Sequence, residues 1–174
     1  MTVGGLEETK VFFFGASAVS AWAARFAFEM GFPVVVLDCD ADKFEQPGFE
    51  GCECKLVDFN DLPGYEDLGI TKDDMVCVIT RGHTYDPQSF TYALKTPAFY
   101  VGMMGSAKKN AKVFKYALEH GCTPDQVESA YAPIGESIGA IDASEIGLAI
   151  VAQLVHVHNQ KYFREKDHDS LHRD

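Results

Sequence analysis

The sequence predicts a single α/β domain built on a doubly wound, mainly parallel sheet. Three observations carry that expectation. Short apolar runs of strand length alternate with longer segments of helical periodicity along the whole chain. The stretch from Lys10 to Asp38, KVFFFGASAVSAWAARFAFEMGFPVVVLD, reads as strand, glycine turn, helix and strand, which is a complete βαβ unit. Finally, the irregular glycine-bearing segments GASAVS, TRGHTYD, GMMGSAKK and APIGESIGA each follow a predicted strand, so all emerge at the carboxyl edge, where such sheets bind ligands.

In chain order, the first helix is expected over about Val19 to Met30, with Gly31 as its stop. The second strand ends in Asp38. A loop carrying Pro47 and two glycines covers Ala41 to Gly51, a short third strand lies near Cys54 to Phe59, and Asn60 to Lys72 is a connection with room for a helical turn. The fourth strand, Asp74 to Thr80, is nearly all apolar and should be buried on both faces. Asp86 fits an N-cap with Pro87 at the first helical position, opening a helix that runs to about Lys95. A fifth strand spans Ala98 to Gly102. The helix after it holds Val113, Phe114 and Leu118 and stops at His120-Gly121. Thr123 to Gln126 has capping-box spacing, and YAPIG, from Tyr131, would be a short sixth strand. Asp142 or Ser144 caps a last helix whose apolar residues Ile146, Leu148, Ala149, Ile150, Ala152 and Leu154 imply that most of its circumference is covered. The expected order is 3-2-1-4-5-6, with residues 1–9 as an N-terminal extension, 10–165 as the domain and 166–174 as a charged tail.

Composition narrows the function classes. The 174 residues include 15 basic and 26 acidic side chains, a net charge of −11, which argues against binding a nucleic-acid backbone or an anionic membrane surface. The N-terminus lacks the apolar stretch of a signal peptide, and no run approaches a membrane span, so a cytoplasmic protein is expected. Five scattered cysteines form no disulfide framework. Cys52 and Cys54 lack the further ligands of a zinc site, and His156 and His158, two apart on a helix, point in different directions, one to core or interface and one to solvent. The mostly apolar last helix favours a homodimer.

The opening unit has the outline of a Rossmann-like dinucleotide site, in which the turn binds pyrophosphate and an acid about 20 residues on binds a ribose. Here the three fingerprint positions are Gly15, Ser17 and Ser20, and Ser17 puts a side chain where the phosphates approach. Asp38 stands at the ribose position. Asp40 and Asp42 would repel a 2′-phosphate, favouring NAD over NADP. Gly105-Ser106 before a helix, with Lys108 and Lys109 in its first turn, suits an anion, and Arg81 and His83 could contribute to it. His83 also reads as an ordinary loop histidine, and Asp86 as a cap rather than a base. Pro133-Ile134-Gly135 is either a ligand-lining loop or a structural turn. Cys39 should pack against a helix, since strand side chains alternate. No triad, Cys-His pair or supported carboxylate dyad is legible, so no catalytic or metal-binding residue is assigned.

In combination, F-G-A-x-x-V-S, V-L-D-x-D, T-R-G-H-x-x-D, Y-V-G-M-M-G-S-x-x-K and A-P-I-G-x-x-I-G-A, from about Val11 to Val155, resemble the Rossmann domain of the XdhC/CoxI family. The resemblance implies an accessory protein for molybdenum hydroxylases of the xanthine dehydrogenase type. Such a protein would bind the molybdenum cofactor (molybdopterin), support its sulfuration and deliver it to the apoenzyme. The implied partners are that apoenzyme and a cofactor-sulfurating protein. The cofactor-binding set drawn from these segments is Gly15, Ser17, Val19, Asp38, Asp40, Arg81, His83, Gly102, Gly105, Ser106, Lys108, Lys109, Pro133, Ile134 and Gly135. Ser17 and Ala18 stand where the family's turn usually has glycine and histidine, which argues against dinucleotide binding. Longer relatives carry a separate N-terminal domain, expected to be absent here because the first strand begins by Lys10. Two other readings stay open: an NAD-dependent oxidoreductase or nucleotide-sensing domain, and an interaction module with a vestigial pocket.

Overall fold

The computed structural model describes residues 5–163, so the expected tail at 166–174 lies outside the described residues. Five parallel strands form the sheet: β1 (Val11–Phe14), β2 (Val34–Asp38), β3 (Glu53–Leu56), β4 (Met75–Val78) and β5 (Tyr100–Met103), in the order β3-β2-β1-β4-β5. Strand β1 is central, and its four residues are fully buried because both sheet faces are covered. On one face Val11, Phe13, Val34, Val36, Met75 and Cys77 pack against Ala23, Ala24 and Ala27 of α1 (Ala18–Met30) and Ile150 and Leu154 of α6 (Ala143–Phe163). On the other, Phe12, Phe14, Val35, Leu37, Val76 and Val78 meet Phe90 and Ala93 of α3 (Asp86–Leu94) and Val113 and Ala117 of α4 (Ala107–Glu119). The connections also hold two short helices, α2 (Tyr65–Leu68) and α5 (Pro124–Glu128).

Local chemistry sets the element ends. Gly31 terminates α1 in the left-handed region at φ 106°, a conformation that glycine adopts freely. Thr123 and Gln126 form the expected capping box of α5, and Asp142 Oδ1 accepts from the Glu145 N–H at the start of α6. His158 is buried and His156 exposed, as their spacing requires.

Four expectations are corrected. The sixth strand shrinks to a single parallel bridge between Tyr131 and Gly102, because Pro133 has no N–H to continue the ladder; the next donor, Ile134 N–H, returns to Met103 O. Asp86 is the first residue of α3 rather than its cap, since its carboxylate is engaged elsewhere, and Tyr85 holds the cap position. Cys39 is exposed instead of packed on a helix: the strand ends at Asp38, and side-chain alternation ends with it. Helix α6 leaves Leu148 and Ala152 outside, so its apolar surface is only partly covered.

Gly15 shows how tightly the edge above β1 is drawn. It sits at φ +115°, and a Cβ there would lie 2.2 Å from Ile79 O and 2.7 Å from Thr80 Cα. Gly15→Ala combines an unfavourable φ with a backbone collision, and we expect a loss of at least ~2 kcal/mol in chemical denaturation. A substitution at Gly31, which meets nothing within 4 Å, carries only the φ penalty and should cost less than Gly15→Ala.

Candidate functional site

The turn after β1 closes on itself. Ser17 caps α1: Ser20 N–H donates to Ser17 Oγ (3.1 Å), Ser17 N–H donates to Ser20 Oγ (2.7 Å), and Ser20 Oγ donates to Gly15 O (2.6 Å). The residue that interrupts the glycine fingerprint is therefore the cap of the helix. It consumes two N–H groups and leaves those of Ala18 and Val19, the first two helical residues, without intrahelical partners.

Asp38 does not face outward to meet a ribose. Its carboxylate is 2% exposed and accepts from Ala16 N–H (2.7 Å), Asp40 N–H (2.9 Å) and Arg81 Nη2 (3.0 Å). Burial by itself would raise its pKa. The Arg81 hydrogen bond, the two backbone donors and the Arg81 charge outweigh that and hold it below the usual carboxylate range. Arg81 also lies 3.8 Å from Asp40, whose Oδ1 accepts from Asp42 N–H.

Beyond β4 the chain turns through Gly82 and His83, both left-handed (φ 64° and 59°). For a histidine this is an uncommon conformation, and it directs the ring back over α3. His83 Nδ1 lies 2.6 Å from Asp86 Oδ2, while Thr80 Oγ1 donates to Asp86 Oδ1. Asp86 is 2% exposed and His83 31% exposed, so a buried carboxylate holds a half-buried imidazole. With Nδ1–H donating to Asp86, Nε2 is left as the free nitrogen, and no described residue bonds to it.

His83 lines a crevice of roughly 360 Å³ together with Ala16 to Val19, Ile79 to Gly82, Met104, Lys43 and Gln46. Gln46 Nε2 donates to Ala16 O (2.9 Å), which pins this connection to the turn, and Lys43 has no ion-pair partner among the described residues. A second cavity of about 370 Å³ is lined by Asp38 to Asp40, Phe59, Arg81, Thr84 and Tyr85. Arg81 borders both.

Of the residues expected from sequence, the structure gathers Ser17, Val19, Arg81 and His83 at the crevice, with Asp38 and Asp40 at the adjoining cavity. It does not bring in the others. Gly102 admits the Ile134 side chain, since a Cβ there would lie 2.7 Å from Ile134 Cδ1, and Gly135 packs on Ala149 with its N–H donating to Gln153 Oε1 (2.9 Å). Pro133 follows a cis peptide bond in that same loop. Ser106 caps α4 and Gly105 abuts Asn110, while Lys108 and Lys109 are exposed in the first turn of α4; none of these lines the crevice. Lys43, Gln46 and Asp86 were not legible as site residues. Only the Asp86 spacing in R-G-H-x-x-D carried a signal.

The model of the XdhC Rossmann domain family matches residues 11–154. The chain is 24% identical over 145 residues to the protein YqeB of Escherichia coli K12, covering 83% of this chain and 26% of that protein. It is also 24% identical over 158 residues to a probable xanthine dehydrogenase subunit from Bacillus subtilis, covering 85% and 42%. A crystal structure of a xanthine dehydrogenase from Bacillus halodurans superposes with a TM-score of 0.72 at 26% identity, over 92% of this chain and 45% of that one. The chain thus spans less than half the length of these relatives. The tRNA threonylcarbamoyladenosine dehydratase TcdA of E. coli (TM-score 0.62, 13% identity, covering 92% and 90%) shares the fold alone.

The Arg81–Asp38 pair makes a pH-dependent contribution whose sign follows from the depressed Asp38 pKa. Its stabilisation is complete above the unfolded carboxylate value of about 3.9 and is lost as pH falls through the lower native value. Arg81→Met should cost about 1–3 kcal/mol at pH 7, with the gap to the parent protein closing in denaturation curves taken progressively below pH 4.

Proposed function

This chain belongs to the family of XdhC Rossmann domains, and from that premise we propose that it binds the molybdenum cofactor, or a related phosphorylated pterin, and assists its insertion into a molybdenum hydroxylase of the xanthine dehydrogenase type. The names of two relatives support the client enzyme. The carboxyl-edge crevice supports the ligand class: it offers Lys43, Nε2 of His83 and two N–H groups at the start of α1, none of them with a partner among the described residues. These residues fit the phosphate end of a pterin cofactor. The metal-bearing end supplies the redox chemistry in the client enzyme, and no step at the metal is needed from this chain.

The single observation that carries the reading is the combination of an anion-suited crevice with an Asp38 that is closed to ribose. A dinucleotide-dependent oxidoreductase needs that acid as an acceptor for a ribose hydroxyl. Here each carboxylate oxygen already has a donor, Oδ1 two of them. NAD binding would therefore require the Arg81 pair to open.

The test is retention. Protein purified from a cofactor-producing host should carry molybdenum, measured by elemental mass spectrometry, and a releasable fluorescent pterin, and Lys43→Met should reduce both several-fold. Protein that carries neither, while a melt series shows stabilisation by NAD, would replace this reading with the oxidoreductase one.

A further inference from the structure

The two cavities of the carboxyl edge flank Arg81, which lines both. Its Nη2 is bonded to Asp38, and its Nε is buried with no acceptor among the described residues. A dinucleotide stretched along this edge would have to cross that ion pair, then find a ribose partner in a carboxylate already committed to Ala16, Asp40 and Arg81. A ligand that ends in the first crevice meets no such barrier. What it meets is His83, its ring fixed by the buried Asp86 and its Nε2 unengaged, and Lys43, a cation with no ion-pair partner, both among the described residues.

We propose that this crevice is a receptor for a terminal phosphate monoester, whose second proton passes to His83, with Asp86 as the positioning residue. The proposal rests on the cofactor-binding reading above and narrows it to a ligand ending in a monophosphate, as opposed to a dinucleotide form. The step is a single proton transfer. The phosphate O–H bond breaks, its electron pair stays on oxygen, and an Nε2–H bond forms, leaving a dianion facing an imidazolium whose Nδ1–H is held by the Asp86 carboxylate. The geometry provides for the transfer: Nδ1 is already held by Asp86, and Nε2, which has no partner among the described residues, is the nitrogen left to take the proton. Asp86 Oδ2 holds the ring at Nδ1, and Thr80, donating to the other carboxylate oxygen, keeps Asp86 oriented. A phosphodiester has no second proton and bears a single charge, so it gains nothing from this pair. A His83–Asp86 contact that only braced the loop would show no preference between the two esters.

The direct experiment uses methyl phosphate and dimethyl phosphate with protein labelled with ¹⁵N in its histidine rings. The free protein should show His83 as the Nδ1–H tautomer. Methyl phosphate should move its Nε2 resonance to the imidazolium position, and dimethyl phosphate should leave it in place. His83→Gln should bind methyl phosphate at least tenfold more weakly at a temperature where circular dichroism shows both proteins folded. Asp86→Asn should weaken it several-fold and mix the tautomers in the free state. Equal binding of both esters, or a His83 ring that does not respond to millimolar methyl phosphate, overturns the proposal. Because these probes contain neither molybdenum nor pterin, that result alongside intact cofactor retention would remove the monoester inference alone, and loss of retention with a responsive His83 would remove the molybdenum-cofactor reading alone.

Discussion

The carboxyl edge of this domain depends on one buried carboxylate. Asp38 ties the turn above β1, through Ala16 N–H, to the end of its own strand, through Asp40 N–H, and to the exit of β4, through Arg81. Three segments far apart in sequence are thereby held at one point. A carboxylate removed from water is costly unless its lone pairs are met, and here two backbone donors and a guanidinium meet them. The same arrangement occupies both carboxylate oxygens of Asp38 and one terminal nitrogen of Arg81. The crevice is left to groups that Asp38 does not engage: Lys43, His83 and the first N–H groups of α1.

Around that point the backbone is as close as it can be. Gly15 brings the β1 turn against Ile79 and Thr80, and the Ser17–Ser20 box then starts α1 immediately. Beyond β4, a left-handed Gly82-His83 pair reverses the chain so quickly that His83 reaches the first residue of the next helix. A non-glycine residue in that conformation costs on the order of 1–2 kcal/mol, against which the fixed Nδ1–Asp86 contact at 2.6 Å is the evident compensation. A loop that only needed to turn could have used a second glycine at position 83. The histidine is held at some expense, and it lines the crevice.

The framework was legible because strands buried on both faces announce themselves as unbroken apolar runs, as in VFFF, VVVLD and MVCV, and because Gly31 and Thr123-Pro124-Asp125-Gln126 act through local geometry alone. The site was legible only in outline. Spacing identified Asp38 but not the direction of its carboxylate, which Arg81, 43 residues later, decides. Gly102 and Gly135 read as walls for a ligand, yet the atoms that approach them are Ile134 and Ala149, a tertiary contact with no periodic signature. Lys43 and Gln46 sit in a turn whose sequence carries no motif, and Asp86 has the look of an N-cap because Asp before Pro usually is one. Sequence order places residues on an edge; it does not say which of them turn toward one another.

Electrostatics supports selection at short range. With a net charge of −11, the surface of this protein does not draw dianions from a distance, and beyond a Debye length of about 8–10 Å its field is screened in any case. Binding energy must then come from contacts made inside the crevice. A cation of fixed charge attracts phosphate mono- and diesters alike, differing only through their charges, whereas a histidine backed by a buried carboxylate responds to whether its ligand has a proton to share. In the proposed role this arrangement has a further consequence. A ligand held by one lysine, one shared proton and two backbone donors is recognised by its chemical end group, yet the site lacks the glycine-lined pyrophosphate cradle and free ribose acid with which dinucleotide enzymes hold their cofactors. A cofactor seated this way is chosen specifically and can still be passed on.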